Sequence, residues 1–212
     1  MWILAPSVEL RASTLVPPLT QLQRECSALG VHAYCQYLLC TICVSAGSPA
    51  ILPGSSITLS RVNQTDNIVV LPDGLTVRND AWTFESILAD RPAPSSGRWM
   101  YEVCLASSGT MQIGWSMLSS RLDAQMGIGI GDTDQSYAFD GDRRYLWHGT
   151  AAPMSYDGER WASGTVIGCL LDMDNSTMRF AMNGKVVQDA QFTLTEKVRL
   201  DTFICNLALF CA

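Results

Sequence analysis

Along the middle of the chain, apolar and polar side chains change places at every second residue. The clearest stretch is Arg98 to Leu105, where Trp99, Tyr101, Val103 and Leu105 share one face. A period of two marks a strand with one side turned to a core. Met178 to Met182 alternates in the same way, Asn183-Gly184 follows, and Lys185-Val186-Val187 returns. Asn-Gly accepts the positive φ angles of a type I′ turn, so this segment predicts a tight hairpin. Further strand-like runs are Ile68–Leu71, Leu75–Val77, Trp82–Ser86, Met111–Trp115, Ser136–Phe139, Tyr145–His148 and Thr165–Leu171. Clusters of Gly, Asp, Asn and Pro separate them. Many short strands so punctuated predict an all-β fold over residues 56–192, an antiparallel β-sandwich. The turns predict a meander in which each strand pairs with its neighbour in sequence. Trp82, Trp99 and Trp115 fall at alternating positions and are expected in the core.

The flanks read differently. Residues 1–55 form an N-terminal extension, and no Asp, Glu, Lys or Arg occurs between Glu25 and Arg61. Leu29–Ile51 is largely apolar, but its cleaner part, Tyr34–Ala46, is shorter than the roughly 20 residues a membrane helix needs. A buried or docking helix is the expectation there, and a membrane tether through Leu29–Ile51 is the alternative. Residues 193–212 form a divergent tail. Phe203–Phe210 is apolar enough for a strand but lacks the punctuation of the sandwich.

Charge and composition narrow the function. The net charge is -6 and the basic residues are scattered, which excludes a nucleic-acid backbone binder. Arg143-Arg144 is the only adjacent basic pair, and Asp140 and Asp142 sit beside it. The N-terminus lacks a basic n-region and a long apolar stretch, so the thiols are expected to be reduced and the compartment cytoplasmic. Cys40 and Cys43 form a CxxC, with Cys26, His32 and Cys35 upstream. A structural zinc site pairs two ligand knuckles across a loop. No second knuckle follows here, so the expectation is buried apolar cysteine and no metal.

Asp132, Asp134, Asp140 and Asp142 lie close together with His148 nearby. Such a cluster suits acid–base work or calcium, and a β-sandwich enzyme built on it is a further alternative. The Gly and final Glu of a calcium loop are absent, so the carboxylates read as turn caps. Gly127–Gly131 is glycine-rich but opens no helix, as a phosphate cradle would. No Ser-His-Asp order, Walker loop or nucleophile elbow occurs. Neither enzyme activity nor a cofactor is expected.

Six segments in order resemble the SPRY domain family. They are Gly97–Val103, Met111–Trp115, Gly129–Asp132 with Ser136–Gly141, Trp161–Gly168, Leu170–Asp172 and Phe180–Gly184, with Trp147 at a matching distance. Gly97–Val103 and Met111–Trp115 are similar in particular to the SPRY domain of large RING ubiquitin ligases. The chain has no RING pattern of paired Cys and His, so it is not expected to transfer ubiquitin itself. The resemblance implies a protein-interaction module, serving substrate or partner recognition in a ubiquitin-ligase-type protein.

Two departures stand out. Thr165 occupies a position where the family has Asp, which implies a weaker turn. No segment after Phe192 matches the family's closing strands. They are expected to be missing or replaced by Leu200–Phe210, as in a truncated or spliced product, with an open sheet edge as the result. A rigid sandwich presents loops at its edge to a protein or peptide. The expected contributors are the loop from Trp115 to Gln135, the Asp140–Arg144 turn, and the region of Trp147 and Tyr156. Arg143, Arg144 and Trp147 lead the candidates, joined by Asp140, Gln135 and Tyr156, because Arg and aromatic side chains dominate interface energetics.

Overall fold

The structure is a computed structural model that describes residues 36–41, 57–90, 93, 96–149, 153–194 and 203–210, the first and last of these by backbone only. All of them belong to one compact unit, Cys35–Ala212. The described residues form fourteen strands in two antiparallel sheets and no helix.

The first sheet runs, in spatial order, β13 (Lys185–Thr193), β12 (Thr177–Met182), β11 (Val166–Asp172), β6 (Arg98–Leu105), β1 (Gln36–Thr41), β4 (Thr76–Asn79) and β3 (Ile68–Val70). The second runs β10 (Met154–Ser155), β9 (Tyr145–Trp147), β8 (Ser136–Asp140), β7 (Met111–Met117), β14 (Phe203–Phe210), β5 (Phe84–Ala89) and β2 (Leu59–Gln64).

The alternation along β6 is realised in full. Trp99, Tyr101, Val103 and Leu105 are buried, while Arg98, Met100, Glu102 and Cys104 are partly or fully exposed. Across the interior, the Tyr101 hydroxyl donates to the Gly114 carbonyl of the opposite sheet. The Tyr101 and Trp115 rings meet edge to face at 5.0 Å. Phe139 stacks on Phe180 at 4.9 Å, again joining the two sheets. These aromatic pairs add directional contacts to the burial that drives closure.

The β12–β13 hairpin turns at Asn183 (φ 48) and Gly184 (φ 75), the left-handed pair that a type I′ turn requires. Thr165 makes a sound turn in place of Asp: its Oγ1 accepts the Ala162 N–H at 3.2 Å, and its own N–H reaches the Ala162 carbonyl at 3.0 Å.

Several expectations are corrected. The meander holds for β7–β8–β9–β10 and for β11–β12–β13, but β6 pairs with β1 and β11 rather than with β5 or β7. The chain changes sheets between β5 and β6 because both faces of the core must be covered. Gln36–Thr41, inside the segment expected to be helical, is a strand between β4 and β6. A short apolar run carries no period that separates helix from strand, and two open strand edges decide it. The rest of the N-terminal extension, including most of Leu29–Ile51 and Cys43 of the CxxC, lies outside the described residues. Among the described residues no helix is long and apolar enough to cross a membrane.

Phe203–Phe210 does not leave an edge open. It enters the second sheet as β14 and pairs with β7 on one side and β5 on the other. The sandwich therefore draws strands from both sides of residues 56–192. Trp82, expected in the core, is 66% exposed because it lies in the turn before β5 rather than on the strand.

The turn after β11 supplies a pH-dependent contribution to stability. Asp172 accepts from the Asn175 N–H at 2.9 Å and Nδ2 at 2.8 Å, and pairs with Arg98 at 3.0 Å. Burial raises its pKa, but the Asn175 and Arg98 interactions outweigh that and hold it below the usual carboxylate range. A depressed acid stabilises the fold above its unfolded pKa and loses that contribution as pH falls through its folded pKa. The urea midpoint of wild type is therefore expected to drop more between pH 7 and pH ~2.5 than that of Asp172→Asn. Equal drops in the two proteins would refute the assignment.

Candidate functional site

The β8–β9 hairpin builds the site. Asp140 ends β8 opposite Tyr145, which begins β9. Residues 141–144 bridge them, and Arg144 closes the turn at φ 62. The Asp140 side chain is fully buried and holds Arg143 twice, accepting its backbone N–H at 3.0 Å and its Nε at 2.5 Å. Burial raises the Asp140 pKa against the lowering effect of the Arg143 hydrogen bonds and charge. So anchored, the Arg143 guanidinium lies 4.6 Å from the centroid of the Trp147 ring. That is cation–π distance, and the pairing fixes both side chains in a directed arrangement. Tyr145 packs edge to face on Trp147 at 5.8 Å.

Beside this pair lies a cleft of about 360 Å³, lined by Phe84, Thr110, Gln112, Gly127, Asp132, Arg143 and Trp147. It sits on the outer face of the second sheet. Asp132 accepts the Gly129 N–H at 2.8 Å, and Thr110 donates to Asp142 at 3.1 Å. Burial raises the Asp132 pKa, opposed by the Gly129 N–H and the charge of Arg143. Met126, next to Gly127, is 73% exposed.

The residues singled out in the sequence fall into three places. Arg143 and Arg144 are the exposed residues of the site, and Trp147 is half-buried beside them, packed against Ile130 and Ala138. Asp140 is brought to them but is buried, so it positions Arg143 and offers no surface of its own. Tyr156 is also buried, its ring 4.9 Å from that of Phe139. Burial holds its hydroxyl pKa well above the ordinary phenol value. It is a core residue under the turn, tied to it by an N–H donated to the Arg144 carbonyl at 3.3 Å. Gln135 lies at the far end of β8 from Asp140, where its carbonyl accepts the Met117 N–H at 2.8 Å. The structure does not bring it to the cleft.

The acidic cluster is dispersed among separate partners. Asp132 lines the cleft, Asp140 pairs with Arg143, and Asp142 accepts from Thr110. His148 Nδ1 is 2.9 Å from the Ser136 carbonyl, and its ring stacks on Tyr137 at 4.0 Å. Among the described residues no group of three or more His, Cys, Asp or Glu is placed to hold a metal ion. Phe84 and Gln112 were not foreseen as site residues. Their signal is positional: both stand at the outward places of strands whose inward neighbours fill the core.

Comparison with known proteins places this architecture. Residues 98–203, half of the chain, match the family model described as the SPRY domain. The chain is 43% identical over 102 residues to the E3 ubiquitin-protein ligase RKP of Arabidopsis thaliana, a match covering 48% of this chain and 8% of that protein. It is 27% identical over 150 residues to the ATP-dependent RNA helicase Ddx1 of Drosophila melanogaster, covering 69% of this chain and 19% of that protein. The matches thus span less than a fifth of the length of these relatives. A solved structure described as a human SPRY domain shares the fold, with a TM-score of 0.53 at 22% identity over 74% of this chain and 91% of that one. SPRY domains generally bind protein partners. By its family model and its paired antiparallel sheets, the chain belongs to the SPRY domain family.

Proposed function

We propose that this SPRY domain recognises a protein or peptide through the face made by Arg143, Arg144 and Trp147, and that it does so as the partner-recognition part of a ubiquitin-ligase-type protein. The observation that carries the reading is the Arg143–Trp147 stack, held at the mouth of a cleft by a fully buried carboxylate. Binding surfaces gain most from side chains that are ordered before the partner arrives. Arg and Trp are the types most enriched among residues that dominate interface energy. The ligase context is supported by the 43% identity to an E3 ubiquitin-protein ligase.

Trp147→Ala and Arg143→Glu are expected to weaken capture of the chain's partners by roughly 30-fold, the scale of a 2 kcal/mol hot spot. Quantitative affinity capture with each variant measures this, and unchanged thermal unfolding shows that the fold survives. Retention of every partner by both variants would reject the face.

A further inference from the structure

β13 lies at one margin of the first sheet, and among the described strands β12 is its only neighbour. A strand so placed leaves a row of backbone N–H and C=O groups open to pairing. Its ladder with β12 is irregular. Arg179 pairs with Gln191 and Ala181 with Val186, so Val187 to Ala190 stand opposite Phe180 alone. Asp189, inside this bulge, takes φ 63. Beside the bulge lies an open groove of about 600 Å³, walled by Arg179 and by Val186 to Gln191.

The groove holds one cation and one anion. Among the described residues neither Arg179 nor Asp189 belongs to an ion pair. The Arg179 Nε donates to Gln191 Oε1 at 2.6 Å, a neutral acceptor that leaves the charge unmatched. Asp189 is exposed, and Val186 adds apolar surface at 49% exposure. Lys185, at the hairpin turn, lies outside the lining.

This pattern selects among occupants. An acidic peptide would face Asp189 and a basic one Arg179, each meeting a like charge. A regular strand added to this edge would lose its register at the bulge. A two-fold axis satisfies both charges at once, because in an isologous contact residue i meets j and j meets i. We infer that the groove is a contact between two copies of the chain, with Arg179 of each protomer against the partner's Asp189. The patch is far smaller than the roughly 20–30 residues a side of a standard interface, so the dimer is weak and forms at roughly 100 µM. It uses the first sheet, whereas the Arg143–Trp147 face belongs to the second.

Sedimentation equilibrium of the full chain, up to ~1 mM, reads the dimer directly. Arg179→Glu leaves two anions in the groove, and Asp189→Lys leaves two cations. Each variant alone is expected to associate at least about 10-fold more weakly than wild type, since like charges then face each other across the axis. Mixed in equal amounts, the two variants complement one another at both positions. The mixed dimer is expected within about 3-fold of the wild-type affinity, a rescue that a merely structural role for either side chain would not give. Arg179→Gln and Asp189→Asn disturb the fold less, and each is expected to weaken association by about 3-fold or more.

A chain that stays monomeric up to ~1 mM would overturn the proposal. So would a dimer that survives both charge reversals or both neutral substitutions unaltered. Reversed variants that lose the dimer and do not regain it on mixing also overturn it. None of these results bears on capture of partners through Arg143 and Trp147.

Discussion

Phe139→Ala is expected to destabilise the chain by about 3–5 kcal/mol, the cost of emptying a large aromatic site in a packed core. Phe139 has no exposed surface and lies where the two sheets and the loop after β10 converge. Its ring is 4.9 Å from Tyr156, 4.9 Å from Phe180 and 5.3 Å from Trp161. Its backbone pairs with Ile113 on one side and Leu146 on the other. None of these strands is free to collapse into the vacated volume, because each is fixed in its own ladder. Domains are stable by only about 5–15 kcal/mol, so the loss is a large fraction of the total. The urea midpoint should fall by about 1–3 M at the m-values of small domains. A change of a few tenths of molar would show that the site collapses or that the core is not shared between the sheets.

Gly114→Ala is expected to cost about 3 kcal/mol or more, above the usual range for overpacking. Gly114 lies opposite Ala138 in the β7–β8 ladder. A Cβ there would come 2.1 Å from the Tyr137 carbonyl oxygen, 3.1 Å from its carbon and 3.2 Å from the Ala138 Cα. These are backbone atoms of the neighbouring strand, so no side-chain rotation relieves the clash. β7 and β8 must part, and the Gly114 carbonyl that receives the Tyr101 hydroxyl moves with them. The variant should lose its cooperative transition or show a Tm lower by about 10 °C. A Tm within 2 °C of wild type, roughly the effect of half a kcal/mol, would sink the argument.

Much of this fold was legible because β6 and β12 each have one face in the core and one toward solvent, and their side chains alternate accordingly. β7 alternates in sequence as a half-exposed strand would, yet all seven of its residues are buried. Its inward residues Met111, Ile113, Trp115 and Met117 sit in the main core. Its outward places hold Gln112, Gly114 and Ser116, small or polar residues that a surface strand would also carry. Only the structure shows them buried. The same limit explains the site. Arg143 and Trp147 were readable from residue type in a loop between strands. Asp140 and Tyr156 were readable as neighbours but not as buried ones, since the Tyr156 ring packs on Phe139 of a different strand, where Trp161 also meets it. Gln112 carried no chemical signature at all, being one polar residue on a strand.

β14 has a kinetic meaning as well as a structural one. Leu207 lies between Ile87 and Ile113, and Ile87 is more than half the chain upstream. Without β14, β5 and β7 would each keep an unpaired edge. Joining them requires closure of long loops, which sets folding of such topologies on the scale of milliseconds to seconds. In that interval each margin is a template for the matching segment of another copy, the route by which strands are exchanged between molecules. The segment that seals the sandwich thus also governs how long a newly made molecule stays vulnerable to its own kind.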